Sequence, residues 1–131
     1  MTSSGVSAIV AGHGRLAEGL VSAVNMITGR GGSLCALSNE GLGAAEVGEA
    51  LARAVAATGA NVVFTDLPAG SCTLAARRLQ RDHKDLFVVT GVNLPMLLEF
   101  VMHDGGDAAA VATAIERGRE HVRLLAPAHD R

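Results

Sequence analysis

The chain has no tryptophan, no tyrosine and only three phenylalanines among its 131 residues. Proteins that bind single-stranded nucleic acids stack the bases on aromatic side chains and hold the backbone in a basic groove. The net charge of this chain is −2, and no stretch of the sequence forms a basic stripe. We therefore expect no nucleic-acid partner.

Cysteine is scarce as well, and the two cysteines are not placed to act together. Cys35 lies in an apolar run and Cys72 follows a Gly-Ser pair, which is neither a metal-ligand spacing nor a CxxC motif. Every long apolar run is interrupted by glycine or polar residues, and the first basic residue is Arg15. The sequence thus predicts reduced thiols, no metal, no cofactor, no membrane insertion and a cytoplasmic location.

Short β-rich runs alternate with segments whose apolar residues recur at helical spacing. The four predicted strands are residues 6–11, 33–38, 61–67 and 86–92. Such alternation indicates an α/β protein, with a mostly parallel sheet covered by helices on both faces. The size fits one doubly wound, three-layer domain over residues 1–131, with a core of about 6–125 and strand order 2-1-3-4.

Two segments near the carboxyl end suggest contact with a second subunit. The predicted helix at Met96–Met102 is apolar most of the way round and needs cover on more than one side. The last predicted helix runs into Val122–Leu125, which either continues the helix or forms a short edge strand. We expect a homodimer.

The predicted strand order reverses between the first and third strands, and ligands of such sheets bind at that point. The loops there contain His13 between two glycines and the stretch from Asp66 to Ser71. A carboxylate bonded to one imidazole nitrogen fixes the tautomer and leaves the other nitrogen nucleophilic. Backbone N–H groups at the start of a helix, near Gly70 and Ser71, suit a phosphoryl group.

Each of these residues also has a purely structural interpretation. His13 taken alone is a loop histidine, Asp66 a turn residue and Ser71 a helix cap. Asn93 is expected to cap a helix rather than to contact a ligand. The histidines outside the crevice are expected at the surface; they are His83, His103, His121 and His129.

Four blocks of the sequence resemble the enzyme IIA component of the mannose-type bacterial sugar phosphotransferase system. These blocks are Ala11–Gly14, Thr65–Ser71, Gly91–Glu99 and Glu116–Glu120, and the resemblance spans about residues 6–125. It implies a flavodoxin-like fold. It also implies a phosphotransferase that takes a phosphoryl group from the phosphocarrier HPr onto a histidine and passes it to a IIB component.

Carried over residue by residue, the resemblance makes His13 the phosphorylated residue, through the ring nitrogen far from the main chain. Asp66 would bond the other nitrogen, and Ser71 with the nearby amide of Gly70 would hold the phosphoryl group. Replacing Asp66 by asparagine is then expected to favour the wrong tautomer of the ring. The family often has two glycines before the serine, whereas Ala69 stands first here.

The resemblance further implies a dimer in which a carboxyl-terminal strand, here residues 121–125, pairs antiparallel with the edge of the partner's sheet. The sequence names neither the sugar nor a role in transport as opposed to regulation.

Three alternative functions stay open at this stage. Residues 12–17 match the GxGxxA motif of dinucleotide-binding proteins, with Glu40 near the position of a ribose-binding acid. Asp66 and Thr90 end strands much as in receiver domains, although the acidic pair that binds Mg²⁺ there is missing. The phosphotransfer subunit of dihydroxyacetone kinase also uses a histidine after its first strand, but the block from Asn93 favours the sugar-transport branch.

Overall fold

The computed structural model describes residues 5–128 and shows four strands and five α-helices in that range. The strands are β1 (Ala8–Gly12), β2 (Leu34–Ser38), β3 (Val62–Thr65) and β4 (Phe87–Val89). The helices are α1 (Leu16–Thr28), α2 (Ala44–Thr58), α3 (Ser71–Leu79), α4 (Leu94–Val101) and α5 (Ala108–Glu120), with a short 3₁₀ turn at Gly31–Ser33.

The sheet has the order β2-β1-β3-β4, and all three pairs of strands are parallel. This confirms the predicted α/β fold and strand order. Gly12 pairs with Ser38, and Ala11 pairs with Thr65, so the carboxyl ends of β1, β2 and β3 are level with one another. The loops that follow these strands therefore leave the sheet side by side.

Helices cover both faces of the sheet. Alternate strand residues point to opposite faces, so both faces carry apolar side chains that need cover. Val10 and Phe64 pack in a core with α1, α4 and α5, where the rings of Phe64 and Phe100 meet edge to face at 5.1 Å. Ile9 and Val63 pack in a second core against α2 and α3. All of β1 is buried, as expected for the central strand of a three-layer domain.

The sequence pattern predicts a helix from Leu74 to His83 after the third strand, whereas α3 begins at Ser71 and ends at Leu79. Gly70 has φ +111°, which favours glycine, and this backbone turn directs the chain straight into the helix. The amide of Leu74 already donates to the carbonyl of Gly70 at 2.9 Å. The first turn of α3 consequently lies closer to the crevice than predicted.

Helix α4 has most of its cover within the single chain. Met96, Leu97, Phe100 and Val101 are buried, and α1 and α5 supply the contacts. Met102 remains 58% exposed just after the helix. The apolar character of α4 therefore does not by itself require a subunit interface.

The carboxyl-terminal segment is neither of the two structures predicted for it within one chain. Helix α5 ends at Glu120, and residues 122–128 have no regular structure. Val122, Leu124 and Leu125 are 77%, 94% and 83% exposed. Continuation of the helix was wrong, and pairing with a second copy stays a prediction.

Within the described residues, no helix is long and apolar enough to cross a bilayer.

Candidate active site

His13 follows β1 directly and is held by a carboxylate from the loop after β3. Its ring Nδ1 lies 2.7 Å from Oδ2 of Asp66, and its backbone N–H donates to the same oxygen at 2.9 Å. The His13 side chain is 49% exposed, whereas that of Asp66 is 9% exposed. Among residues 5–128 no hydrogen-bond partner is seen for Nε2 of His13. One ring nitrogen, Nδ1, is thus anchored, and the other, Nε2, is free.

The ionisation of Asp66 decides which ring nitrogen carries the proton. Burial alone would raise the pKa of Asp66, but hydrogen bonds from the backbone and ring of His13 hold that pKa below its ordinary value. The carboxylate is therefore ionised at neutral pH and accepts a hydrogen bond from the Nδ1–H group of His13. A neutral His13 then keeps its lone pair on Nε2.

Two glycines allow the close contacts around this pair. A Cβ atom on Gly12 would lie 3.3 Å from Oδ2 of Asp66, and one on Gly70 would lie 3.5 Å from Cε1 of His13. The first contact is tight, and at Gly70 the positive φ adds strain for any other residue. Gly70 therefore places the start of α3 directly against the imidazole ring.

The amino end of α3 offers a site for an anion beside that ring. Gly70 is the cap residue and Ser71 is the first residue of the helix, so Ser71 is not the helix cap. No side chain in the region described caps this helix. The half-buried Ser71 hydroxyl is contacted by Nδ2 of Asn39 at 3.4 Å. Uncapped N–H groups and a hydroxyl at a helix start are suited to phosphoryl oxygens.

Residues at the end of β2 and directly after it support the histidine loop, and the sequence reasoning missed them. The Ser38 hydroxyl donates to the carbonyl of Gly14 at 2.7 Å and accepts from the amide of Glu40 at 3.0 Å. The amide of Asn39 donates to the carbonyl of Gly12 at 3.1 Å. The predicted strand order already placed these polar residues beside His13, and that signal could have identified them.

Two buried threonines form a second support that the sequence reasoning missed. Thr65 ends β3 and Thr73 lies in the first turn of α3, and their hydroxyls are 2.6 Å apart. Thr73 also donates to the carbonyl of Leu67. No spacing pattern marks this pair, because the contact depends on how the intervening turn folds.

The remaining predicted residues lie outside the crevice or beneath it. Asn93 caps α4, accepting from the amide of Met96 at 3.0 Å, as predicted. His83, His103 and His121 are exposed, whereas His129 lies outside the described residues.

Cys72 is buried under the site. Burial and the negative charge of Asp66 raise the pKa of its thiol, outweighing a hydrogen bond with Ser71. The thiol of Cys72 is thus protonated at neutral pH and is a poor nucleophile.

Several solved structures with this fold are enzyme IIA proteins. Component EIIA from Streptococcus agalactiae is 25% identical with a TM-score of 0.79, covering 91% of this chain and 96% of its own. The mannose/sorbose-specific IIA subunit from Enterococcus faecalis is 22% identical with a TM-score of 0.80, covering 96% and 98%. The IIA protein associated with the fucose utilization operon of Streptococcus pneumoniae is 22% identical with a TM-score of 0.79, covering 95% and 96%. The fold is therefore that of phosphotransferase-system IIA proteins.

The sequence profile of the mannose-type enzyme IIA family, described as the fructose IIA component of the phosphotransferase system, matches residues 7–117. The chain belongs to this family and is a phosphotransfer component of a sugar phosphotransferase system. The resemblance found in the sequence is thereby confirmed. No curated protein matches the chain.

Proposed function

We propose that this protein is a phosphoryl carrier, which accepts a phosphoryl group from phospho-HPr on Nε2 of His13 and passes it to a IIB component. The observation that carries the proposal is the anchoring of His13 through Nδ1 to Asp66, which leaves Nε2 free at the crevice. Membership of the enzyme IIA family supports the same chemistry. Donor and acceptor of this relay place the reaction in the cytoplasm.

The transfer is a nucleophilic displacement at phosphorus. The Nε2 lone pair of His13 attacks the phosphoryl group on the donor histidine, the donor P–N bond breaks, and its electron pair returns to the donor nitrogen. The ring of His13 gains positive charge while Nδ1 keeps its proton, and the Asp66 carboxylate offsets that charge. The same steps in the opposite sense deliver the group to a nucleophile of the IIB component.

The incoming oxygens need donors that are already in place. Gly70 lies against the ring, and the uncapped N–H groups and the Ser71 hydroxyl belong to the helical turn that begins directly after it. Ala69, where the family often has glycine, precedes Gly70, whose φ is +111° in this chain. We assign Gly70 and Ser71 to the phosphoryl site on these grounds.

Incubation with phosphoenolpyruvate, enzyme I and HPr tests the relay. We expect close to one phosphoryl group per chain, labile in acid and stable in alkali, because it is a phosphoramidate on His13. Addition of unphosphorylated IIB should remove the label. A base-labile product would indicate an acyl phosphate on Asp66 and contradict the proposal, as would a label that no IIB protein accepts.

A homodimer completes the proposed arrangement. Strand β4 pairs with β3 on one side only, and a groove of about 390 Å³ along its other side is lined by Val88, Thr90 and Val122 among others. Val122, the first residue of the exposed segment 122–128, lines this groove, and Leu124 and Leu125 of the segment are exposed. We propose that the segment of each chain pairs with β4 of the other, since an unpaired edge and exposed leucines both favour association.

Removal of residues 122–131 should abolish the dimer. The full chain is expected to sediment as a dimer, and the shortened chain as a monomer or as aggregates, because β4 loses its partner strand. The deletion leaves in place every helix and strand that the structure shows between residues 5 and 128, so circular dichroism serves as the control. A shortened chain that still sediments as a discrete dimer would exclude strand exchange.

A further inference from the structure

Thr65 and Thr73 are the two buried polar side chains in the described range, with 0% and 7% exposure. They lie on either side of the Asp66 turn: Thr65 directly precedes Asp66, and Thr73 begins the helix that follows the turn. A buried hydroxyl is costly unless it forms hydrogen bonds, so a buried pair at one turn points to a specific role there.

The hydrogens of the two hydroxyls can be assigned from the distances. Thr73 lies 2.5 Å from the carbonyl of Leu67, which can only accept, so Thr73 donates to it. Thr65 lies 2.6 Å from the hydroxyl of Thr73 but 3.4 Å from the same carbonyl. Thr65 therefore donates chiefly to Thr73, and a chain of hydrogen bonds runs from Thr65 through Thr73 to Leu67.

This chain fixes the backbone on both sides of Asp66. Thr65 is held in the sheet, where its carbonyl accepts from the amide of Val92 at 3.0 Å. Leu67 is held by α3, whose amino end also contacts His13 through Gly70. The Thr73 hydroxyl thus links the sheet, the Asp66 turn and the helix start in one unit.

We propose that Thr73 is a positioning residue, whose hydroxyl keeps Oδ2 of Asp66 within hydrogen-bond distance of Nδ1 of His13. The effect on phosphoryl transfer rests on the proposed function, whereas the effect on the Asp66–His13 geometry does not. Without the hydroxyl, the nearest acceptor for Thr65 is the carbonyl of Leu67 at 3.4 Å, and the turn must move to shorten that distance. A misplacement of about 1 Å between reacting groups can lower a reaction rate by about a hundredfold.

Thr73→Val removes the hydroxyl and keeps the shape of the side chain. We expect the maximal rate of transfer from phospho-HPr to fall about ten- to a hundredfold while the KM for phospho-HPr stays within about twofold, because the docking surface is unchanged. The pKa of Asp66, followed by carbon NMR of its carboxyl group, should rise toward its ordinary value as the contact with His13 loosens. Thr73→Ser, which restores a hydroxyl, should recover both readouts.

Thr28→Val is the matched control. Like that of Thr73, the Thr28 hydroxyl donates to a backbone carbonyl, here that of Val24, and it accepts from the amide of Arg30, but it lies at the far end of α1 from His13. The Thr28→Val substitution should lower the thermal midpoint by an amount similar to that of Thr73→Val. It should leave the transfer rate and the pKa of Asp66 unchanged. If Thr73→Val does not fold, Thr65→Val interrupts the same hydrogen-bond chain and takes its place.

Wild-type rate and wild-type Asp66 pKa in the valine variant would overturn the proposal. So would equal losses in the valine and serine variants, because a hydroxyl at position 73 would then not be enough to restore the transfer rate and the Asp66 pKa. If the wild-type protein accepts no phosphoryl group at all, the proposed function fails, and the Asp66 pKa in the two variants still tests the positioning role.

Discussion

The His13→Gln variant is expected to take up no phosphoryl group from phospho-HPr and to remain folded. Glutamine has no basic nitrogen lone pair to attack phosphorus. The His13 side chain is half exposed and the backbone N–H that bonds Asp66 is retained, so the free energy of unfolding should change by less than about 1 kcal/mol. Labelling from phosphoenolpyruvate, read beside the thermal midpoint, separates loss of the nucleophile from loss of the fold.

The chain contains a matched control for this variant. Nε2 of His103 lies 3.0 Å from a Glu99 carboxylate oxygen, so His103 is also an exposed histidine paired with an acid. His103→Gln should be labelled at the wild-type level. Full labelling of the His13 variant, or loss of labelling in the His103 variant, would show that the assignment of the phosphoryl group to His13 is wrong.

Asp66→Asn should slow transfer from phospho-HPr about ten- to a hundredfold, which is roughly 1.4 to 2.7 kcal/mol of barrier. The sequence alone suggests that the asparagine amide would donate to the ring and hold the wrong tautomer. The structure argues against this, because the backbone N–H of His13 requires an acceptor at the Oδ2 position. The amide oxygen takes that place, the proton stays on Nδ1, and what is lost is the negative charge.

Single-turnover transfer to Asp66→Asn gives the rate, and its unfolding curve against pH tests the electrostatic explanation. Because the pKa of Asp66 is lowered in the folded protein, the ionised carboxylate stabilises the fold above the ordinary aspartate pKa of about 3.9, and that contribution disappears as the pH falls through the folded value. The wild type should therefore be more stable than the variant near neutral pH, and the difference should vanish in acid. A near-normal transfer rate would reduce Asp66 to a turn residue.

The sequence predicts the fold well because its signals are local and repeated. Alternating β-rich runs and helical spacings set the element order, and right-handed crossovers then leave 2-1-3-4 as the favoured order. That order alone brings His13 and Asp66 together from 53 residues apart. The pairing at the centre of the candidate site was thus predictable without any detail of packing.

The strand order could have indicated Ser38 and Asn39, but the individual hydrogen bonds that support the pair were not predictable from the sequence. Ser38 contacts Gly14 and Thr73 contacts Leu67 only because the turns place them so. The apolar surface of α4 was read correctly as buried, but composition cannot say that α1 and α5 supply the cover. Burial is encoded in a residue's type, whereas the identity of its neighbours depends on the whole fold.

The central claim is that Nε2 of His13 carries the phosphoryl group while Nδ1 stays bonded to Asp66. Long-range proton–nitrogen NMR of the protein, labelled with ¹⁵N in its five histidines and phosphorylated through HPr, tests this directly. We expect one altered ring, that of His13, with phosphorus coupled to Nε2 and a proton on Nδ1. A phosphoryl group on Nδ1, on another histidine or on the carboxylate of Asp66 would contradict it.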